Sequence, residues 1–394
     1  MSTSEVKKVV SAPQKAPNTL QRVFLEICRS GEIATAALGR SVGLAASTLE
    51  PKLRALERKG LVDFRAGRRK VGLNPGFCHV VGIDMGASHL HFALGDFRGE
   101  ILNDSTLKIR PEDGPWKMIA QIKEGIRQLA KGVHRGRLRG LAVGVPSPVV
   151  EGGVVTFANN LVGWKNINLG KELRKEFRVP VFMENDANMA AIGEHWRGVA
   201  RGVENFVFIA LGTGIGSGVF VKGELYRGRA GSAGEVYRMN IDWPRWNDDF
   251  GDSGHFEVYA SGQGIAAEGR KMLGPSEGGE AAGLAEERDA LFVFESWRKG
   301  EARAQAVLDK IFTMLGVGVA NVVAILDPDL IVLGGGILKG APELLLSTAN
   351  KVVARIQPDP PPIRVSSLED KAQTYGAIYS ALTVAQQDIA RRLR

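Results

Sequence analysis

The chain predicts an α/β protein in two parts, a small cationic helical module followed by a large body of strands, glycine turns and helices. Charge gives the first part: Met1 to Cys78 holds 14 Lys or Arg against 6 Asp or Glu, and the remaining 316 residues hold 37 of each sign. Pattern gives the second, because after Pro75 buried-type apolar runs end repeatedly in glycine-rich turns and give way to helical spacing. Length agrees, since 394 residues with 44% hydrophobic content can bury more than one core.

Composition narrows the setting. Cys28 and Cys78 are too few for a disulfide framework or a thiolate metal site, so a reducing, cytoplasmic compartment is expected. Residues 1–17 lack an apolar core and carry Lys7, Lys8 and Lys15, which predicts a flexible basic tail rather than a secretion signal. The longest apolar stretch, Leu315 to Leu338, is interrupted by Asp327, Pro328 and Asp329. It reads as a buried helix, a turn and a strand, with no membrane partner expected.

In the module (18–78), Leu20, Val23, Phe24 and Ile27 share one helical face, and Gly31 follows the last turn. A short helix over Ala34 to Val42, a turn at Gly43 and Leu44, and a third helix reaching Lys59 come next. Ser47 and Glu50 have capping-box spacing. Pro51 then lies about one turn into that helix, so either Thr48 is the true cap or the helix bends there. Leu61-Val62-Asp63-Phe64 and Lys70-Val71-Gly72-Leu73 read as two strands around the turn Ala66-Gly67-Arg68-Arg69. This order resembles the winged helix-turn-helix domain of bacterial repressors. The resemblance implies that Leu53, Leu56 and Leu61 face the core, that Ser47, Thr48, Lys52 and Arg54 face a DNA groove, and that Arg65, Arg68 and Arg69 meet phosphates or the minor groove. A basic three-helix domain that binds a protein is the alternative.

In the body, Val80 to Asp84 is a buried strand entering the tight turn Gly86-Ala87-Ser88, with Leu90, Phe92 and Leu94 on the returning strand. Leu211-Gly212-Thr213-Gly214-Ile215-Gly216-Ser217-Gly218 is a second glycine loop, and Leu333-Gly334-Gly335-Gly336 a third. Glycines there let backbone N–H groups approach phosphate oxygens. With these motifs, Val80 to Leu382 resembles the ROK family (repressors, open reading frames and sugar kinases), which implies a two-lobed actin-like ATPase fold around a cleft. Asp84, Gly86 and Ser88 then match its first phosphate turn, Gly212, Thr213, Gly214 and Gly216 its second, and Gly334, Gly335 and Gly336 its adenosine-side turn. The expected lobes are 79–190 with the C-terminal helix 373–394, and 191–372.

The resemblance also supplies a sugar site. Met183-Glu184-Asn185-Asp186-Ala187-Asn188 matches the catalytic segment, in which Asp186 takes a proton from a sugar hydroxyl if the chain is a kinase and Asn185 bonds the sugar. Asn160, Leu161 and Trp164 match a further sugar-side segment, and Glu235 and Glu257 two carboxylates that accept from ring hydroxyls. The departures are equally informative. Tyr237 and Arg238 stand where the family has a glycine and a zinc-binding histidine, and its three zinc cysteines fall on Asp248, Phe250 and His255. No structural zinc is therefore expected, and Trp243, Trp246 and Phe250 are expected to hold that loop by packing instead. Arg238 either selects an acidic or phosphorylated sugar or pairs with Glu235 or Glu257 and closes the site. Ser147, in Gly144-Val145-Pro146-Ser147-Pro148, is expected to narrow the pocket.

Together these features predict a sugar-responsive DNA-binding regulator, a repressor acting on a duplex operator as a homodimer or homotetramer. The alternative is a sugar kinase with a DNA-binding domain, for which alone ATP and Mg²⁺ are implied.

Overall fold

The computed structural model describes residues 16–86, 88–150, 153–155, 163–164, 167–251, 253–273 and 285–393. They form two compact units.

The smaller unit opens with α1 (Thr19–Ser30). Asn18 caps it reciprocally: its side chain accepts from Gln21 N, and the Gln21 side chain accepts from Asn18 N. Gly31, at φ 69°, ends the helix. Then follow β1 (Ile33–Ala34), α2 (Thr35–Val42), a left-handed turn at Gly43, α3 (Ala46–Arg58), and the hairpin of β2 (Val62–Arg65) and β3 (Lys70–Leu73). The three strands pair antiparallel in the order β1-β3-β2. Leu49, Leu53 and Leu56 of α3 are buried with Phe24, Ile27, Leu38 and Val71.

The start of α3 differs from the expected capping box. The cap position is Ala45, which offers no side-chain acceptor, and the first turn closes through its carbonyl to the Thr48 and Leu49 N–H groups. Pro51 lies inside the helix, past that turn, so neither a Thr48 cap nor the Ser47–Glu50 box forms. The physical reason is position: with Ala46 already helical, Ser47 sits too far in to cap.

Two distant segments complete this unit, residues 96–98 and 385–393. Phe97 is fully buried, 6.4 Å from the Phe24 ring and 5.3 Å from the Phe77 ring. Gln21 Nε2 donates to the Ala390 and Leu393 carbonyls at 3.0 and 3.1 Å, and Asn18 Nδ2 to Leu393 at 3.2 Å.

The larger unit repeats one topology twice. Its first lobe runs β4 (His79–Met85), β5 (His89–Gly95), β6 (Ile101–Lys108), α4 (Gly114–Leu129), β7 (Leu138–Val145), the small hairpin β8 (Val149–Val150) and β9 (Val154–Val155), α5 (Leu169–Phe177), β10 (Val181–Asn185) and α6 (Asp186–Arg197). The second runs β11 (Phe206–Leu211), β12 (Ile215–Val221), β13 (Glu224–Leu225), α7 (His255–Ala260), α8 (Gly262–Leu273), α9 (Ala285–Arg298), α10 (Ala302–Leu326), β14 (Leu330–Gly334), α11 (Pro342–Ile356) and β15 (Ile363–Val365); α12 (Ala372–Arg392) follows and returns to the first sheet, with Ala377 and Ile378 against Gly82 and Thr374 Oγ1 3.0 Å from His91 Nδ1. Each lobe has a five-stranded sheet, ordered β10-β7-β4-β5-β6 and β13-β12-β11-β14-β15. In each, an antiparallel meander is extended by two parallel strands reached through helical crossovers. Helix α10 is the one described helix long and apolar enough to cross a membrane, and its Val307, Ile311, Leu315, Val319 and Val323 are buried in the second lobe's core.

The helices that follow the last strand of each repeat, α6 and α12, cross. At Gly193 an added Cβ would overlap the Ala372 carbonyl oxygen, and at Gly376 the Met189 carbonyl oxygen. Only glycine on both sides lets the two backbones meet. Helix α12 serves both units, because Ala372–Val384 belong to the body and Ala385 onward to the smaller unit. This departs from the expectation that all of 373–394 joins the amino-terminal lobe. The difference lies in the apolar face of the last turns, where Ala385, Ile389, Ala390 and Leu393 are buried.

Candidate functional site

The strand-to-turn junctions of both sheets open on one cleft. Asp84 lies near the end of β4 and Gly86 just follows it, Asp186 begins α6, Gly212 and Thr213 link β11 to β12, and Gly335 and Gly336 follow β14; all line a cavity of 670 Å³. Gly335 needs its residue type, for at φ 101° a side chain would run into the Leu211 carbonyl. Four expected phosphate residues do not line the cavity. Gly216 and Gly334 are packing positions, against the Ala187 methyl and the Phe208 ring. Gly214 lies against the Glu257 carboxylate, and Ser88 Oγ is 3.4 Å from His89 Nδ1.

The cavity also takes His89, Leu291 and Phe294, and Glu369, Asp370 and Gln373. Sequence reasoning missed these six because they come from a strand start, from α9 and from the entry to α12, with no shared motif. The lining has four carboxylates, Asp84, Asp186, Glu369 and Asp370, and no Lys or Arg among the described residues. Burial is the main reason the Asp84 carboxyl is pushed up to about 7, and the Asp186 charge adds to it. Burial likewise pushes Asp186 up to about 6, against the pull of backbone N–H groups and with a push from Glu235. Two carboxylates that resist ionisation together suit a site completed by a cation or used for proton transfer.

On the sugar side, Asn185 caps α6, its Oδ1 accepting from the Ala187 and Asn188 N–H groups at 3.0 and 3.2 Å. Glu184, buried below it, takes Asn188 Nδ2 at 3.1 Å and Arg227 Nε at 2.8 Å. Glu235 and Glu257 are both raised by burial. Glu257 spends one oxygen on Ile215 N, at 2.9 Å, and so ties α7 to the second glycine loop. Ser147 is buried beside Pro148. Trp164 is buried, whereas Asn160 and Leu161 lie outside the described residues.

Arg238 lies beside Tyr237 and Glu235. Its Nε donates to Tyr237 Oη at 2.8 Å, and the Tyr237 hydrogen bond and the Arg238 charge both hold Glu235 down against the effect of burial. It lines a second cavity, of 480 Å³, with Arg245, Trp246, Phe250 and His255. Here the expected tryptophan packing fails: Trp243 and Trp246 are 80% and 72% exposed. The loop is held by Phe250 edge-on to His255 at 5.1 Å, by Tyr259 at 4.9 Å from His255, and by Arg245 over the Tyr259 ring. A structural zinc does not fit these donors, since Asp248 is paired with Arg245 and His255 Nδ1 faces Ile241 N. Among the described residues no group of three or more His, Cys, Asp or Glu is placed to hold a metal.

Known proteins share this architecture. The glucokinase of Thermotoga maritima is 32% identical over 283 residues, 71% of this chain and 88% of that protein. The xylose repressor of Bacillus subtilis is 28% identical over 348 residues, 85% of this chain and 87% of its own. A crystal structure of a ROK family transcriptional regulator, a homologue of the E. coli MLC protein, superposes with a TM-score of 0.78 at 25% identity, covering 94% of this chain and 97% of that one. The ROK family pattern itself matches residues 80–384, the whole body with both lobes and the cleft between them, and the chain belongs to that family.

Proposed function

We propose that this protein is a sugar-responsive, DNA-binding transcriptional repressor. The observation that carries the reading is coverage: the Bacillus subtilis repressor and the regulator structure cover 85% and 94% of this chain, more than the 316 residues after Cys78 can supply, whereas the glucokinase covers 71%. In this reading the small unit is a winged helix-turn-helix, with α3 entering the major groove and the β2–β3 hairpin as its wing. The charge surplus supplies salt-dependent affinity, and paired copies read a two-fold operator in the cytoplasm. A sugar held near Asn185, Asp186, Glu235 and Glu257 shifts the balance between DNA-competent and incompetent states, to the extent that it binds them unequally.

A kinase is the second reading, favoured by the raised Asp186 carboxyl. ATP and Mg²⁺ would then occupy the 670 Å³ cleft, the cation neutralising phosphate charge beside Asp84, with Asp186 taking the proton of the sugar hydroxyl.

A mobility-shift assay on the duplex upstream of the protein's own gene separates the readings. Retardation at low salt, altered by D-xylose or D-glucose, is expected of the repressor. Sugar-dependent ATP consumption that Asp186→Asn abolishes, with no retardation, identifies the kinase.

A further inference from the structure

Two carboxylates on α3, Glu50 and Glu57, run against that unit's cationic character. Glu50 is 42% exposed, and its Oε1 accepts from Arg54 Nε at 2.9 Å, one turn on, and faces Arg68 Nη2 at 3.5 Å. Arg68 is committed elsewhere: its Nη1 donates to both oxygens of Glu57, at 2.9 and 3.0 Å, and its guanidinium stacks 3.7 Å over the Phe64 ring. It is a clasp between hairpin and helix rather than a spare phosphate contact. Arg54 is different. Among the described residues only its Nε is engaged, on a side chain 68% exposed, which leaves both Nη groups open to an outside partner. Glu50 Oε2 likewise accepts from no described residue.

A carboxylate on a surface that approaches phosphates lowers affinity by like-charge repulsion, and an exposed Glu–Arg pair one turn apart stabilises a helix only slightly. Base edges offer the compensation. Guanine presents two acceptors, O6 and N7, spaced for an arginine fork, and its paired cytosine presents the N4 amino donor to a carboxylate. We propose that Glu50 and Arg54 form one reading unit for a G·C pair: Glu50 grips Nε, aims the two Nη groups at guanine, and offers Oε2 to the cytosine amino group. The proposal rests on the DNA-binding reading of this unit. An A·T pair fits worse, because its adenine N6 amino group meets the arginine donors head on and its thymine O4 meets the carboxylate.

Selection of the full-length protein on a randomised duplex library tests this with no operator sequence assumed. The wild type is expected to enrich sites with one fixed G·C pair in each half. Glu50→Ala is expected to lose about tenfold in discrimination at that pair while binding an unrelated duplex as well as or better than wild type. Arg54→Lys, which lacks the fork, loses the same preference, and Glu50→Gln restores part of it. Unchanged selectivity in both Glu50→Ala and Arg54→Lys overturns the proposal. So does an equal loss of affinity for every duplex, the mark of a merely structural role. A wild type that binds no duplex at any salt concentration sinks the DNA-binding reading itself, an outcome distinct from both.

Discussion

Gly376→Val is expected to cost on the order of 3 kcal/mol or more of the body's stability, and to do so without touching any ligand residue. The position lies where α12 crosses α6, and even the first carbon of a side chain would enter the Met189 carbonyl oxygen. The obstacle is backbone, so no rotamer change relieves it. The same holds at Gly193, whose added Cβ meets Ala372 O. Chemical denaturation read at a body tryptophan should show the midpoint fall for either substitution. The double variant should lose less than the sum, because one parting of the helices makes room for both.

Asp84→Asn is expected to make the ligand-free protein more stable at pH 8 and to flatten its dependence on pH. The sign follows from the buried carboxyl. Its pKa in the folded protein is about 7, against an ordinary value of 3.8, so between those limits the native state holds a proton that the unfolded chain has released. The stabilisation is complete below the ordinary value and is lost as pH rises through 7. Asp186, raised to about 6, acts with the same sign. Wild type should therefore melt lower at pH 8 than at pH 5.5, by an amount worth a few kcal/mol in order of magnitude. The asparagine variant should show much less of that slope. Equal slopes in the two proteins would show that Asp84 ionises freely in the cleft.

Much of this fold is legible in the sequence because local chemistry and tertiary context agree. The strand β3 falls where it is expected, at Lys70–Leu73, and Leu53, Leu56 and Leu61 are buried as the resemblance implies. The glycine turns beside Asp84, Gly212 and Gly335 are readable from their local runs, although only at Gly335, with φ 101° and the Leu211 carbonyl alongside, does the backbone tolerate little else. What the sequence hides is non-local. Leu291, Phe294 and Asp370 enter the cleft from helices and turns remote in the chain. Local rules also mislead where a neighbour overrides them: Ser47 and Glu50 have the spacing of a cap, yet the helix starts ahead of them. The tryptophans of the loop at 243–246 look like packing residues, but Phe250, His255 and Tyr259 take that role.

The dual allegiance of α12 has a practical consequence for anyone handling this protein. Ala385, Ile389, Ala390 and Leu393 fill the interior of the small amino-terminal unit, and the carbonyls of Ala390 and Leu393 receive the side chain that also caps α1. A version cut after Val384 should keep its sugar affinity yet expose α1 to trypsin and release its duplex. An affinity handle attached just past Leu393 risks the same defect, and an amino-terminal fragment expressed alone would be missing a wall of its own interior.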